Sequence, residues 1–225
     1  MKLQPLLLLL GLLAIPALLF GVYNAVSAPL PEGFPPPTPA ENIEVKYYPA
    51  YRSATVTYQG QLSQATTVAF DSLYRHISSN NIAMTAPVET RYPLITLQES
   101  AEAQPQAQIF DASSGKPLVE ASETLERDQA EVSFLYRTIN VQPQQIAPGI
   151  KVEDHAPMSV VSIGLQGPYS YASYQQHLDQ LREWLAQHSG YAVAGLPRRF
   201  FYDSPFIPDA FKRSEVQIPI QKVNF

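Results

Sequence analysis

The chain has 225 residues, a formal net charge of −5 and no cysteine. Apolar residues make up 45% and charged ones 16%, which excludes a disordered or tail-like protein and requires a buried core. No basic cluster offers a footprint for a phosphate backbone, so nucleic acid is set aside as a partner, and without cysteine there is no disulfide, thiolate metal site or cysteine nucleophile.

Lys2 precedes an apolar run from Leu3 to about Val26, long enough to span a bilayer. The next basic residue is Lys46, so the positive end is the N-terminus and the folded part is expected on the non-cytoplasmic side. Residues 1–28 read either as a membrane anchor or as a signal peptide cleaved at the small residues Val26, Ser27 and Ala28. Residues 29–41, PLPEGFPPPTPAE, are proline-dense and predict a semi-rigid extended spacer. That leaves residues 42–225 as the folded domain.

The domain opens with Ile43, Val45 and Tyr47 alternating against polar residues, and after Pro49 with Ala54, Val56 and Tyr58 doing the same. This is the period of two half-buried strands. From Ser63 the period changes: Thr66, Phe70, Leu73 and Ile77 recur at helical spacing with Asp71 and Arg75 opposite, an amphipathic helix ending near Ser79. Strands are expected at 83–89 and 92–97, then surface connections at 100–107 and 113–128 with a short strand at Ile109 and Phe110, and another strand at 132–141.

The second half repeats the first. Val161, Ile163 and Leu165 run into Gln166 and Gly167 as Tyr58 runs into Gln59 and Gly60. A helix follows in both, here carrying Tyr171, Tyr174, Leu178, Leu181, Leu185 and His188 on one stripe with Gly190 as its stop. Strands at 196–202 and 214–220 complete it. The fold predicted is α+β: duplicated ββαββ units forming a distorted antiparallel sheet or partly closed barrel, with two amphipathic helices on one face and the other face left for a ligand.

The chemistry-bearing residues are sparse. His76, His155, His177 and His188 lack HExxH or His-carboxylate spacing, so no mononuclear metal site is indicated. His76 flanks the stripe of the first helix, where an imidazole could turn toward a groove as a haem ligand or sit as a boundary residue. No GxSxG, phosphate-cradling glycine loop or Asp-rich cation loop is present. In the last strand Val216, Ile218 and Ile220 face one way, placing Glu215 and Gln217 on the opposite face. There Glu215 is either a cation-binding or acid/base carboxylate or a strand residue paired with Arg199 or Arg213.

The run NIAMTAPV from Asn81 to Val88 and the run YDSPFIPDAFKRSEVQIPI from Tyr202 to Ile220 resemble the two signature segments of the SOUL haem-binding family, and the likeness covers about 42–221. The resemblance implies an apolar groove beside the first helix that takes haem or another tetrapyrrole. Ile82, Met84 and Pro87 would form its wall, Arg75 and Arg91 would lie near the propionates, and Tyr47 stands where some members carry an axial histidine. The expected function is therefore a non-catalytic tetrapyrrole carrier or sensor attached to a membrane through the N-terminal segment. The fold's likeness to GyrI-like domains implies an alternative, a small-molecule-binding domain or hydrolase using Glu215. A further alternative is an envelope scaffold binding protein through its Gln-rich loops.

Overall fold

The computed structural model describes residues 28–92, 129–204 and 206–223. The N-terminal apolar segment, the strand expected beyond Tyr92, the one at Ile109 and Phe110, and the connections at 100–107 and 113–128 lie outside them. Among the described residues no helix is long and apolar enough to cross a membrane.

The duplication is realised. The first half comprises β1 (Ile43–Tyr48), β2 (Tyr51–Gln59), α1 (Ala65–Ser79), β3 (Val88–Arg91) and β4 (Gln129–Leu135). The second comprises β5 (Ile150–His155), β6 (Met158–Gln166), α2 (Tyr171–Gln187), the short β7 (Tyr191–Val193), β8 (Arg198–Phe201) and β9 (Arg213–Lys222). The strands form one antiparallel sheet in the order β1-β6-β9-β8-β3-β4-β2-β5, with β7 beside β9. Reading that order backwards exchanges each strand for its counterpart in the other half, so a pseudo-twofold axis passes between β3 and β8. Each half lends its first strand to the other: β1 pairs with β6 and β5 with β2.

The sheet has to curl. β1 and β2 lie six strand spacings apart, about 29 Å if flat, yet only Pro49 and Ala50 separate Tyr48 from Tyr51, a reach of about 11 Å. The same argument applies to β5 and β6. The concave side is the one away from the helices, because Phe34 touches both Tyr48 and Tyr51 at ring-centroid distances of 4.9 and 5.4 Å. The hydrogen-bonded path does not close into a barrel.

The helices cover the convex side. α1 buries Ala65, Ala69, Leu73, His76 and Ile77, and α2 buries Tyr174, Leu178 and Leu181, capped at its start by the Ser170 hydroxyl accepting from the Ser173 amide. They pack on Ala54, Val132, Phe134, Val161, Ile163, Val216 and Ile218, the alternate residues of β2, β4, β6 and β9.

The concave side departs from the expectation of a face left open. Residues 29–41 are not a free spacer but a strap lying across it. Phe34 enters an aromatic box of Tyr48, Tyr51 and Phe200. The Ala86 amide donates to the Pro29 carbonyl and the Glu32 amide to that of Arg137. Apart from a turn closed by the Phe34 amide donating to the Pro31 carbonyl, the strap's extended proline-rich backbone has no helical ladder of its own, which leaves its groups available for such contacts. The strap crosses β6 at Gly164, where any Cβ would overlap the carbonyl oxygens of Thr38 and Pro39.

Beneath the strap lies a buried polar network. Glu215, fully buried, accepts from the Thr38 amide and pairs with Lys46 Nζ at 2.7 Å. Lys46 also donates to the Pro36 carbonyl at 2.7 Å and Gln217 Nε2 donates to the Tyr48 hydroxyl at 2.8 Å. Burial, then the charge of Glu215, pushes the Tyr48 hydroxyl well above its usual range. Removing one member of a buried ion pair strands the other, a cost of about 3–5 kcal/mol, whereas replacing both is often near neutral. Glu215→Gln should therefore lower the thermal midpoint much more than the double change Lys46→Met with Glu215→Gln; equal losses, measured in a double-mutant cycle, would contradict the pairing. Gly164→Ala should destabilise by about 1–3 kcal/mol through overpacking, and a variant melting like the parent would contradict the strap's position.

Candidate functional site

Each helix covers its own half of the sheet: α1 packs over β2 and β4, and α2 over β6 and β9. The seam strands β3 and β8 are left between them, and a cleft of about 390 Å³ opens there. Its floor is Val88, Tyr92, Arg199 and Phe201. One wall comes from the start of α1, with Ser63, Thr66, Thr67, Phe70 and Asp71; the other comes from the start of α2, with Tyr169, Ser170 and Tyr171. Asp203 and Lys212 stand at the β8–β9 end.

The lining is aromatic. Tyr92 meets Tyr171 at 5.3 Å edge-on and Tyr174 at 4.4 Å, while Tyr169 meets Phe201 at 4.7 Å. Phe70 is held from behind by Phe134 at 5.0 Å. Such rings present rigid faces and edges to a flat partner at little entropic cost. Burial pushes the Tyr92 hydroxyl up to about 12, so it stays a neutral donor at ordinary pH.

Arg199 is the charged residue of the floor and is 1% exposed. Its Nη1 donates to the Ser170 carbonyl at 2.6 Å and its Nη2 to the Ser214 hydroxyl at 3.0 Å, while among the described residues its Nε has no partner. The guanidinium lies over Phe201 at 5.0 Å and Tyr169 at 5.7 Å. The neighbouring Asp203 carboxylate pairs with Arg213 at 2.8 Å and Lys212 with Asp209 at 2.7 Å. Burial lowers the pKa of Arg199, whereas the carboxylate of Glu89 raises that of Arg91.

The residues singled out in the sequence do not converge on this cleft. Tyr47 is 61% exposed on the edge strand β1, and Arg75 is exposed on α1. His76 is buried, its Nε2 2.9 Å from the Tyr136 hydroxyl and its Nδ1 near Asn80; burial lowers its pKa. Ile82 and Met84 pack against the helix-side core. Pro87, buried after a cis peptide bond, leads into β3. The NIAMTAPV segment thus joins core to strap through Ile82, Met84 and Ala86, and only its last residue, Val88, reaches the cleft. Arg91 and Glu215 lie on the concave side, Glu215 sealed under the strap.

A second opening of about 640 Å³ remains at the other end of the concave side, with Arg91, Glu131, His155, Met158, Leu196 and Arg198 among its lining. Its charges are balanced. Arg91 and Arg198 face Glu89 at 2.7 and 3.5 Å, and Arg91 also faces Glu131 at 3.6 Å. Burial alone would raise the pKa of Glu89, but the two guanidiniums outweigh it and hold the carboxyl below its usual range. Nearby, His155 Nε2 lies 2.8 Å from the Ser53 hydroxyl, a spacing that imitates a nucleophile and its base. Arg91 Nη2 approaches His155 Nδ1 at 3.2 Å and can only donate, so Nε2 carries the proton and donates to Ser53. That tautomer cannot accept the serine proton, and Ser53 is fully buried; the pair is structural.

Haem is the group implied by the resemblance. Among the described residues the cleft lining offers flat aromatic faces and a cation for a tetrapyrrole acid, contains no histidine or methionine, and has tyrosine as its one axial-ligand type. Among the described residues no group of three or more His, Asp or Glu side chains could hold a metal ion.

Comparison with known proteins agrees with this architecture. The C-terminal domain of EcmrR, a GyrI-like fold, superposes with a TM-score of 0.56 at 15% identity over 81% of this chain and 98% of that domain. An uncharacterized conserved protein from Listeria innocua gives 0.53 at 12% identity over 82% and 94%. A hydrolase from Listeria innocua gives 0.51 at 12% over 82% and 94%. The chain spans 58% of the EcmrR chain seen in a DNA complex. At these identities the likeness is one of fold. No curated protein sequence is significantly similar. The family model of the SOUL heme-binding protein matches residues 37–219, and the chain belongs to the SOUL heme-binding protein family.

Proposed function

We propose that this protein is a non-catalytic binding module for a flat, largely apolar small molecule of the tetrapyrrole class, held in the cleft between the two helices. The carrying observation is the cleft itself: an aromatic opening at the seam of the two halves, on the apolar side of the sheet. On the opposite face, where a ligand was expected, one half of the hollow is occupied by the protein's own Phe34 and by the Lys46–Glu215 pair, and the opening at the other end is lined by Arg91 and Arg198 paired with Glu89 and Glu131. The family supports a haem or porphyrin ligand, and the aromatic lining supports binding by ring contact rather than by iron coordination.

The hydrolase alternative needs an accessible carboxylate at Glu215, which here is fully buried and engaged by Lys46, Thr38 and Gln217. Its side chain serves the strap. The N-terminal apolar segment supports placing the binding domain on the non-cytoplasmic side of a membrane. Because the strap begins at the domain surface, we place the domain close to that membrane rather than on a free spacer.

Titrating the full chain with haemin and with protoporphyrin IX tests this reading. Soret-band shifts or porphyrin fluorescence changes should saturate, and Phe70→Ala or Tyr171→Ala should weaken binding by about tenfold, the loss of about 1.4 kcal/mol of ring contact. Tyr47→Phe and Met84→Ala should leave the titration unchanged. No saturable binding of either compound would overturn the tetrapyrrole reading, and loss confined to Tyr47 or Met84 would move the site.

A further inference from the structure

We infer that the floor of the cleft is an oxyanion site, so that its ligand is a flat aromatic or tetrapyrrole acid bound carboxylate-inward against Arg199. This rests on the cleft being the binding site and adds the charge and orientation of what enters it.

Three independent observations carry it. Arg199 is 1% exposed, and among the described residues no carboxylate forms an ion pair with it, whereas the equally buried Arg198 on the opposite face has Glu89. A buried cation without a counter-ion is disfavoured relative to one in water, so an anion supplied from outside is the missing component. Second, among the described residues the Arg199 Nε–H has no acceptor, and it belongs to a side chain that lines the cleft. Its other nitrogens are fixed by Ser170 and Ser214, which hold the guanidinium in place before a ligand arrives. Third, the positive end of the 17-residue α2 begins at the cleft, at Ser170 and Tyr171, and favours negative charge there.

The sides of the cleft fix the rest of the ligand. Phe70, Tyr169 and Tyr171 offer ring faces to a flat ring system within the cleft, while the exposed Asp71 in the same lining disfavours a second inward anion. The resemblance implied basic residues near the propionates at Arg75 and Arg91; the geometry instead assigns the anion to Arg199, beneath the ring rather than at its outer edge.

The test uses two fluorescent naphthalenes that differ in charge, 8-anilinonaphthalene-1-sulfonate and neutral N-phenyl-1-naphthylamine, titrated into the full chain, its Arg199→Met variant and its Arg199→Lys variant. The anionic probe should bind about tenfold more tightly than the neutral one, since a hydrogen bond to a charged partner exceeds a neutral one by about that factor. Arg199→Met should erase the preference and Arg199→Lys should keep part of it. Equal binding of the two probes, no binding of either, or an Arg199→Met variant that keeps the preference would each overturn the inference. If circular dichroism shows Arg199→Met unfolded, the parent's preference and its competition by benzoate but not benzamide decide instead. Protoporphyrin binding without a preference for the anionic probe would sink the inference alone, and a preference without tetrapyrrole binding would sink only the tetrapyrrole reading.

Discussion

A single buried carboxylate organises the concave side of the molecule. Glu215 has no access to water and must find its hydrogen bonds inside the protein. It takes one from Lys46 of β1, one from the Thr38 amide of the strap and one from Gln217 of its own strand. The first contact ties the exchanged strand β1 to β9 across β6, and the second draws residues 28–41 into the hollow. Once the strap is seated, Phe34 fills the space between Tyr48 and Tyr51 and this half of the concave face is protein.

Where the concave side closes, the convex side opens, and duplication decides where. Two ββαββ halves related by a twofold axis place their helices symmetrically about it, and neither helix covers the seam. The residues at the seam, Thr90 and Arg199, pair directly across β3 and β8. Consecutive residues of a strand point to opposite faces, so Arg198 and Arg199 serve the two sides of the sheet. One is neutralised by Glu89 and the other, in the cleft, is left with a positive charge to offer.

Much of the fold was legible in the sequence. The switch from alternation to helical spacing after Ser63, and again near Tyr171, located both helices, and the repeated Gln-Gly after β2 and β6 disclosed the duplication. Strands β5 and β7 went unread: Lys151, Glu153 and Asp154 make β5 polar on an edge, and β7 has three residues. The strap was misread for a physical reason. Proline density signals extended backbone, but not whether that backbone is solvated or docked, and the apolar Leu30 and Phe34 among the prolines were the available sign that it docks.

The site was much less legible than the fold. Arg199 is one of two adjacent arginines in a hydrophobic strand, RRFF, and a buried arginine in such a run is a signal that reading for histidines and metal spacing passes over. The aromatic walls are contributed by helix starts more than 100 residues apart in sequence, Phe70 and Tyr171, and only the fold brings them together. Conversely, Ile82, Met84 and Pro87 stand out in the sequence because they shape the approach to β3, a structural role.

Hydrogen–deuterium exchange of the full chain with and without protoporphyrin IX tests most directly whether the ligand enters between the helices. Binding should slow exchange in the segments around Thr66 to Asp71 and Tyr169 to Ser173, and leave the strap at residues 30–41 and strand β1 unchanged. Protection or release of the strap, with the helix starts unaffected, would contradict the account and return the ligand to the concave side.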